Sequence, residues 1–192
     1  MGRKAGRGAE ETRRLILDAA SRLIGRHGTA VPVSDIAQAA GVSKGGLLYH
    51  FPNKEALLTG LATDLMERFR TDVERIAADD RPAPGRLARA YIRVSFAHAD
   101  DLTGLRDYIA LAAHLMFEPD LEELAQADAA RWREALSDDG LDPAITRLVI
   151  AAADGANSAP LWGAVLTDTD RHALEADLIA LTQRDRERTT TL

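Results

Sequence analysis

The segment between Pro32 and Pro52 constrains the fold of this chain most strongly, because it has room for only two short helices. Proline lacks an amide hydrogen and disfavours helix in the residue before it, so each proline marks a break. Gly41 divides the segment, and a residue without Cβ suits the left-handed conformation of a tight turn. Helices this short are not stable alone, so they must pack on a larger scaffold.

Two serines supply start signals for these short helices. Ser34 is predicted to cap the first, residues 35–40, and Ser43 the second, residues 44–50, since a serine hydroxyl accepts a hydrogen bond from a free amide of the first turn. A longer helix at about residues 11–26, with an apolar stripe at helical spacing, precedes them. This order predicts a helix-turn-helix, whose second helix enters the DNA major groove.

The rest of the chain also shows helical periodicity and almost no alternating segment. The pattern predicts helices at 54–77, 86–99, 103–117, 120–137, 143–166 and 169–186. The fold class predicted is therefore all-α: an N-terminal three-helix helix-turn-helix DNA-binding domain (residues 1–53) and a C-terminal helical ligand-binding and dimerisation domain (residues 54–192).

The distribution of charge agrees with DNA binding, although the net charge of −6 does not. The first 60 residues hold nine Lys and Arg against five Asp and Glu, whereas the remainder holds 15 against 25. Because salt screens charges over about 8 Å, a basic head can bind phosphates locally beside an acidic body. An ordinary fluctuation of surface charge explains the same numbers, so charge alone does not decide.

Several classes of protein are disfavoured by what the sequence lacks. It contains no cysteine, and its five histidines are never three or four residues apart, so we expect no disulfide, no metal site and no cofactor. A phosphate-binding glycine loop and a nucleophile elbow are also missing, which argues against an enzyme. No apolar run approaches about 18 residues, so we expect a cytoplasmic, nucleoid-associated protein without a membrane partner.

The second short helix carries residue types that suit DNA. Gly45 and Gly46 each cost about 1 kcal/mol against alanine within a helix, a cost explained by close approach of the backbone to DNA or by a weak helix start. Lys54 opposes the dipole of the following helix unless an anion such as a phosphate lies there. A solvated lysine is the alternative reading of that position.

The segment GVSKGGLLYHFPNKEALL, residues 41–58, closely resembles the signature of TetR-family repressors. The spacing of TRRLILDAASRLIGRHG and VSDIAQAAGVS before it is similar as well. The resemblance implies DNA contacts, to phosphates or base edges, by Ser34, Ser43, Lys44, Gly45, Gly46, Tyr49, His50 and Lys54. Leu48 departs from the aromatic residue that many members carry, and it either contacts a thymine methyl or belongs to the core.

Over the remaining residues the resemblance rests on length and helix number. It implies a homodimer formed by the last two long helices, in which segment 143–166, rich in small residues, permits close approach. A twofold dimer implies a near-palindromic double-stranded operator. The function predicted is repression released by a small-molecule effector. The alternative is a helical small-molecule-binding protein of the same fold without operator binding.

An effector site requires apolar walls with a few polar groups. Asp154 and Asn157 share a helix face within an apolar run and form the best polar pair, although they could equally meet the dimer partner. A core or interface histidine is the default reading of His114, and plain core that of the aromatic residues. The full set of candidates is Phe69, Tyr91, Phe96, Tyr108, His114, Phe117, Trp132, Asp154, Asn157 and Trp162.

Overall fold

The computed structural model describes residues 8–97, 110–115, 118, 121–159 and 165–190, with side chains as far as residue 183. Every regular element within these ranges is a helix, which confirms the all-α prediction. The helices are α1 Ala9–His27, α2 Val33–Ala39, α3 Lys44–His50, α4 Lys54–Asp79, α5 Arg86–Ala97, α6 Glu122–Ser137, α7 Pro143–Ser158 and α8 Asp168–Thr190. Residues 110–115 are helical too.

Glycines end α1 and form the turn before α3. Gly28 has φ 78°, and Gly41 has φ 68°, a conformation that carries no steric penalty only without a Cβ. The amide of Gly28 donates to the carbonyl of Ile24 over 2.8 Å, which satisfies one of the last carbonyls of α1. Gly41 therefore has the turn role that the sequence predicts, and Gly28 ends α1.

One predicted helix cap is confirmed and the other is wrong. Ser43 Oγ accepts a hydrogen bond from the Gly46 amide over 3.0 Å. Ser34 lies inside α2, because the helix begins at Val33 with the extended Pro32 as its N-cap. Its hydroxyl donates instead to Asp35 Oδ1 over 3.0 Å.

Helix α7 is shorter than the predicted segment 143–166. It ends at Ser158, and residues 165 and 166 lie in a bend rather than a helix. Pro160, which lies outside the described residues, has no amide hydrogen with which to continue a helix.

The chain divides into two compact units. The first contains Met1–Leu65 and Ala110–Leu124, and its core is built where α1, α2 and α3 pack against one another. Leu111, Leu115 and Leu121 join this core. Segments far apart in sequence thus complete the core beneath the helix-turn-helix.

The second unit contains Met66–Ile109 and Ala125–Leu192. In it, α5 packs against α7 and α8 around a separate apolar core. Helix α4 contributes to both units, because the boundary at residue 65 falls within it. No helix in the described ranges is long and apolar enough to cross a membrane.

Candidate functional site

Helix α3 presents one face to the core and the other to solvent. Leu47 is fully buried, whereas Lys44 and Gly45 are exposed. Tyr49 is 81% exposed, one of the few large apolar side chains so placed among the described residues. An exposed aromatic ring on a helix that also carries an exposed cation is suited to contact with a partner, since burial within the fold does not account for it.

The two glycines of α3 have different surroundings. A Cβ added to Gly45 meets no atom within 4 Å, so the backbone there is open. A Cβ added to Gly46 lies 3.2 Å from Ser43 Oγ, the atom that caps the helix. Gly46 therefore has a packing role, whereas no contact with a described residue requires a glycine at position 45.

The end of α3 is fixed by an aromatic anchor. Phe51 is 3% exposed, and a Cβ on Gly60 of α4 would lie 2.6 Å from its Cε1 atom. The guanidinium of Arg13 lies 5.2 Å from the centre of the Phe51 ring. Tyr49 and His50, immediately before the anchor, contact each other edge to face with ring centres 5.2 Å apart.

The start of α4 is capped by the side chain of Asn53. Asn53 Oδ1 accepts a hydrogen bond from the Ala56 amide over 2.7 Å. Lys54, the first helical residue, is partly exposed, and Ser34 and Ser43 are exposed as well. Leu48 is partly buried and packs against the core of the first unit, which favours the core role for that side chain.

In the second unit, three of the predicted ligand-site aromatics lie together. Phe69, Tyr91 and Trp132 form a cluster of edge-to-face contacts with ring centres 5.2–5.7 Å apart. Tyr91 and Trp132 are each 8% exposed, whereas Phe69 is partly open to solvent. We call these three residues the aromatic cluster.

Asp154 joins the aromatic cluster through a hydrogen bond. The Tyr91 hydroxyl donates to Asp154 Oδ1 over 2.6 Å. Asn157, predicted as its polar companion, is partly buried one helical turn later. Phe96 is buried in the core of the same unit.

His114, a further candidate among the described residues, does not join the aromatic cluster. His114 is exposed and belongs to the first unit, where its ring lies against Gly28; a Cβ there would be 3.4 Å from its Cε1. This contradicts the core part of the expectation that His114 is a core or interface histidine, because within residues 110–115 it is Leu111 and Leu115 that belong to the core. Tyr108, Phe117 and Trp162 lie outside the described residues.

Arg70 was missed by reasoning from sequence. It is 8% exposed, its guanidinium lies 4.1 Å from the centre of the Trp132 ring, and its Nη2 donates to Asp128 over 2.6 Å. Within the described part of the chain, Arg70 Nε is a buried side-chain nitrogen without a hydrogen-bond partner. The sequence gives no signal for the burial of Arg70 or for its ion pair, since arginine on a helix is usually exposed and Asp128 is 58 residues away.

Comparison with known families bears on both units. A model described as the "Tetracyclin repressor-like, C-terminal domain" matches residues 85–183. A second, described as "Bacterial regulatory proteins, tetR family", matches residues 16–61. The chain belongs to the TetR family. The resemblance predicted from residues 41–58 is thereby confirmed, and the family assignment extends to the body, where the sequence offered only length and helix number.

Individual relatives in the TetR family are matched over part of their length or at modest identity. The transcriptional regulator BetI of Rhizobium meliloti (strain 1021) is 42% identical over 86 residues, which are 44% of this chain and 41% of that relative. The matched region is less than half the length of BetI, and the same holds for the other curated relatives.

Solved structures are similar over most of the chain. A TetR-family member from Streptomyces coelicolor A3 is 28% identical, with TM-score 0.67 over 90% of this chain and 98% of its own. The multidrug binding protein EbrR, complexed with imidazole, is 26% identical, with TM-score 0.62 over 90% of each chain. Both matches agree with a helix-turn-helix unit followed by a helical body.

Proposed function

We propose that this protein is a dimeric transcriptional repressor that binds a near-palindromic operator through α2 and α3 and is released by a small-molecule effector bound in its body. The DNA-binding region corresponds to residues 1–53 and the regulatory region to residues 54–192. The DNA contacts are made by Ser34, Ser43, Lys44, Gly45, Gly46, Tyr49, His50 and Lys54. Leu48 supports α3 from its core side.

The exposed face of α3 carries this proposal. Leu47 and Phe51 anchor the helix in the core, and Lys44, Gly45 and Tyr49 are left on the surface. A cation, an open stretch of backbone and a phenolic hydroxyl are groups that contact phosphates and base edges. Ser43 also stabilises α3, because its hydroxyl caps the helix.

An exposed stripe on α7 supports dimerisation. Ala144, Leu148, Ala151 and Gly155 recur at helical spacing, and all four are exposed. Leu148 is 58% exposed, and a Cβ added to Gly155 meets no atom of the described residues within 4 Å. A stripe of small and apolar residues permits close helix packing, so we assign it to the partner subunit.

Replacing Leu148 with arginine is expected to dissociate the dimer. Because a twofold interface is self-complementary, each subunit would bury one unpaired charge in it. Sedimentation should show a fall from twice the chain mass to the 20.8 kDa of one chain. Arg147→Leu is the control, because it changes a neighbouring exposed residue without adding a charge; equal dissociation by both variants would contradict the assigned face.

Release by an effector requires a difference in its affinity for the DNA-bound and free conformations. Helix α4 contributes to both units. A ligand that contacts the second half of α4 therefore acts on a helix whose first half belongs to the helix-turn-helix unit. The EbrR structure with imidazole supports small-molecule binding by this fold. A 100-fold weakening of operator binding corresponds to about 2.7 kcal/mol of coupling.

The proposal is tested by fluorescence anisotropy with duplex DNA from immediately upstream of the gene, over a salt series. We expect tight binding that prefers this duplex to a scrambled one and weakens steeply with salt, because bound cations displace counterions. Equal binding to both duplexes would overturn specific operator binding at this locus. It would favour the helical small-molecule-binding alternative.

A further inference from the structure

We propose that the ligand of the body is an uncharged planar aromatic compound with an oxygen acceptor, and that Arg70 Nε donates a hydrogen bond to that oxygen. The inference rests on the proposed function, since it names the chemical class of the effector. Arg70 is then the residue that distinguishes this class from other aromatic compounds.

The unmatched donor of Arg70 is the starting point. The side chain is 8% exposed, and Nη2 is occupied by Asp128 at 2.6 Å. Nε has no partner among the described residues. A buried donor without an acceptor costs free energy, and a ligand oxygen placed beside it removes that cost.

The surrounding charges argue that the acceptor is uncharged. Asp128 already neutralises Arg70, and Arg131 lies 3.3 Å from Glu67 and 4.0 Å from Asp128. Among the described residues linked by these contacts to the aromatic cluster, Asp128, Glu67 and Asp154 supply three carboxylates, and Arg70 and Arg131 supply two guanidiniums. A carboxylate ligand would add to the excess of negative charge, and a cation would leave the Nε donor unmatched.

The aromatic cluster argues for a planar ring. Tyr91 and Trp132 are buried, but Phe69 is partly open to solvent. Phe69 and the Arg70 guanidinium both contact the Trp132 ring. The three rings already contact one another edge to face at 5.2–5.7 Å. A further ring entering beside Phe69 extends the same kind of contact and brings its substituent towards Arg70.

The test uses four probes with one ring system and different substituents. They are 2-acetylnaphthalene, 2-ethylnaphthalene, 2-naphthoate and 2-naphthyltrimethylammonium, titrated by calorimetry into the full chain without DNA. We expect the ketone to bind about tenfold more tightly than the ethyl compound, as one charge-assisted hydrogen bond implies. It should also bind more tightly than either ion.

Paired substitutions separate the role of Arg70 from its contribution to folding. Arg70→Met with Asp128→Leu replaces the ion pair by apolar side chains and leaves no buried charge. In this variant the preference for the ketone should fall to within about twofold. Arg75→Met with Asp72→Leu is the matched control, because it removes an exposed ion pair from the same helix, and the preference should remain.

A third variant changes charge alone. Asp128→Asn removes one carboxylate beside Arg70, so the affinity for 2-naphthoate should rise about tenfold relative to the ketone. Failure of all four probes to bind, the tightest binding by an ion, or a ketone preference that survives loss of Arg70 would overturn the inference.

Operator binding is measured separately by anisotropy, so the two proposals fail differently. Ketone binding that requires Arg70 but leaves operator affinity unchanged supports the ligand class and refutes effector release. Operator binding without any probe binding refutes the ligand class and leaves the DNA-binding function in place.

Discussion

Replacing Asp80 with alanine is expected to lower the free energy of unfolding by about 3 kcal/mol, because it leaves a buried cation unpaired. Arg89 is 4% exposed, and its Nε donates to Asp80 over 2.8 Å. Its Nη1 donates to the Pro84 carbonyl over 3.0 Å, so the guanidinium is fixed at the start of α5. Urea denaturation followed by circular dichroism measures the loss.

Two controls distinguish burial from simple loss of an ion pair. Asp72→Ala removes the partner of Arg75 in an exposed pair, and it should change stability by less than about 1 kcal/mol. Arg89→Met with Asp80→Leu removes both buried charges and should be less destabilising than Asp80→Ala alone. Equal effects of Asp80→Ala and Asp72→Ala would contradict the account.

The same pair predicts how stability depends on pH. The hydrogen bond from Arg89 lowers the pKa of Asp80 below its ordinary value. A carboxyl with a lowered pKa in the folded state stabilises the protein fully above its unfolded pKa. That contribution is lost as pH falls below about 4, so Asp80→Asn should make the acid limb of the stability profile shallower than in the wild type.

Replacing Leu47 with alanine is expected to destabilise the first unit by about 2–5 kcal/mol and thereby abolish DNA binding. Leu47 is fully buried where α3 meets the core, and truncation leaves a cavity that the surrounding helices fill only in part. Hydrogen exchange of α1–α3 amides should show the loss locally, together with a lower midpoint in urea.

Leu48→Ala is the informative comparison for this prediction. Leu48 is partly buried against the same core, so we expect a smaller loss of stability, about 1 kcal/mol. If the side chain serves only the core, operator affinity measured well below the midpoint of unfolding should be unchanged. A fall in affinity confined to operators with thymine in one position would instead assign Leu48 a methyl contact.

Local signals account for what the sequence predicted well. The bounds of α3 were predicted to the residue, because Ser43 caps it through a hydrogen bond three residues away and Pro52 follows its end. Asn53 likewise caps α4 within its own first turn. Such interactions involve neighbours in sequence, so a residue pattern is sufficient to find them.

Interactions between distant residues account for what was missed. The carboxylate of Asp139 accepts from the amides of Leu87 and Ala88, about 50 residues away, and caps α5. Arg70 depends on Asp128 in the same way. No periodicity or motif brings these residues together, because only the packed helices define their distances.

The aromatic cluster was predictable in part from the sequence. Phe69, Tyr91 and Trp132 were among the candidates for their residue type alone, and the fold places the three in contact. His114 was a candidate for the same reason, but it belongs to the other unit. Residue chemistry can nominate members of a site, whereas the tertiary fold selects among them.

The most direct test of operator binding compares wild type with Tyr49→Ala, Lys54→Ala on the upstream duplex by fluorescence anisotropy across a salt series. Tyr49 is 81% exposed, so the fold should be retained, and circular dichroism checks this. Arg133→Ala removes an exposed cation from α6 and is the control. We expect about a 100-fold loss of affinity and a salt dependence reduced by about one counterion in the double variant, with the control unchanged. Wild-type affinity in the double variant would contradict the assignment of α3 and the start of α4 as the DNA-binding surface.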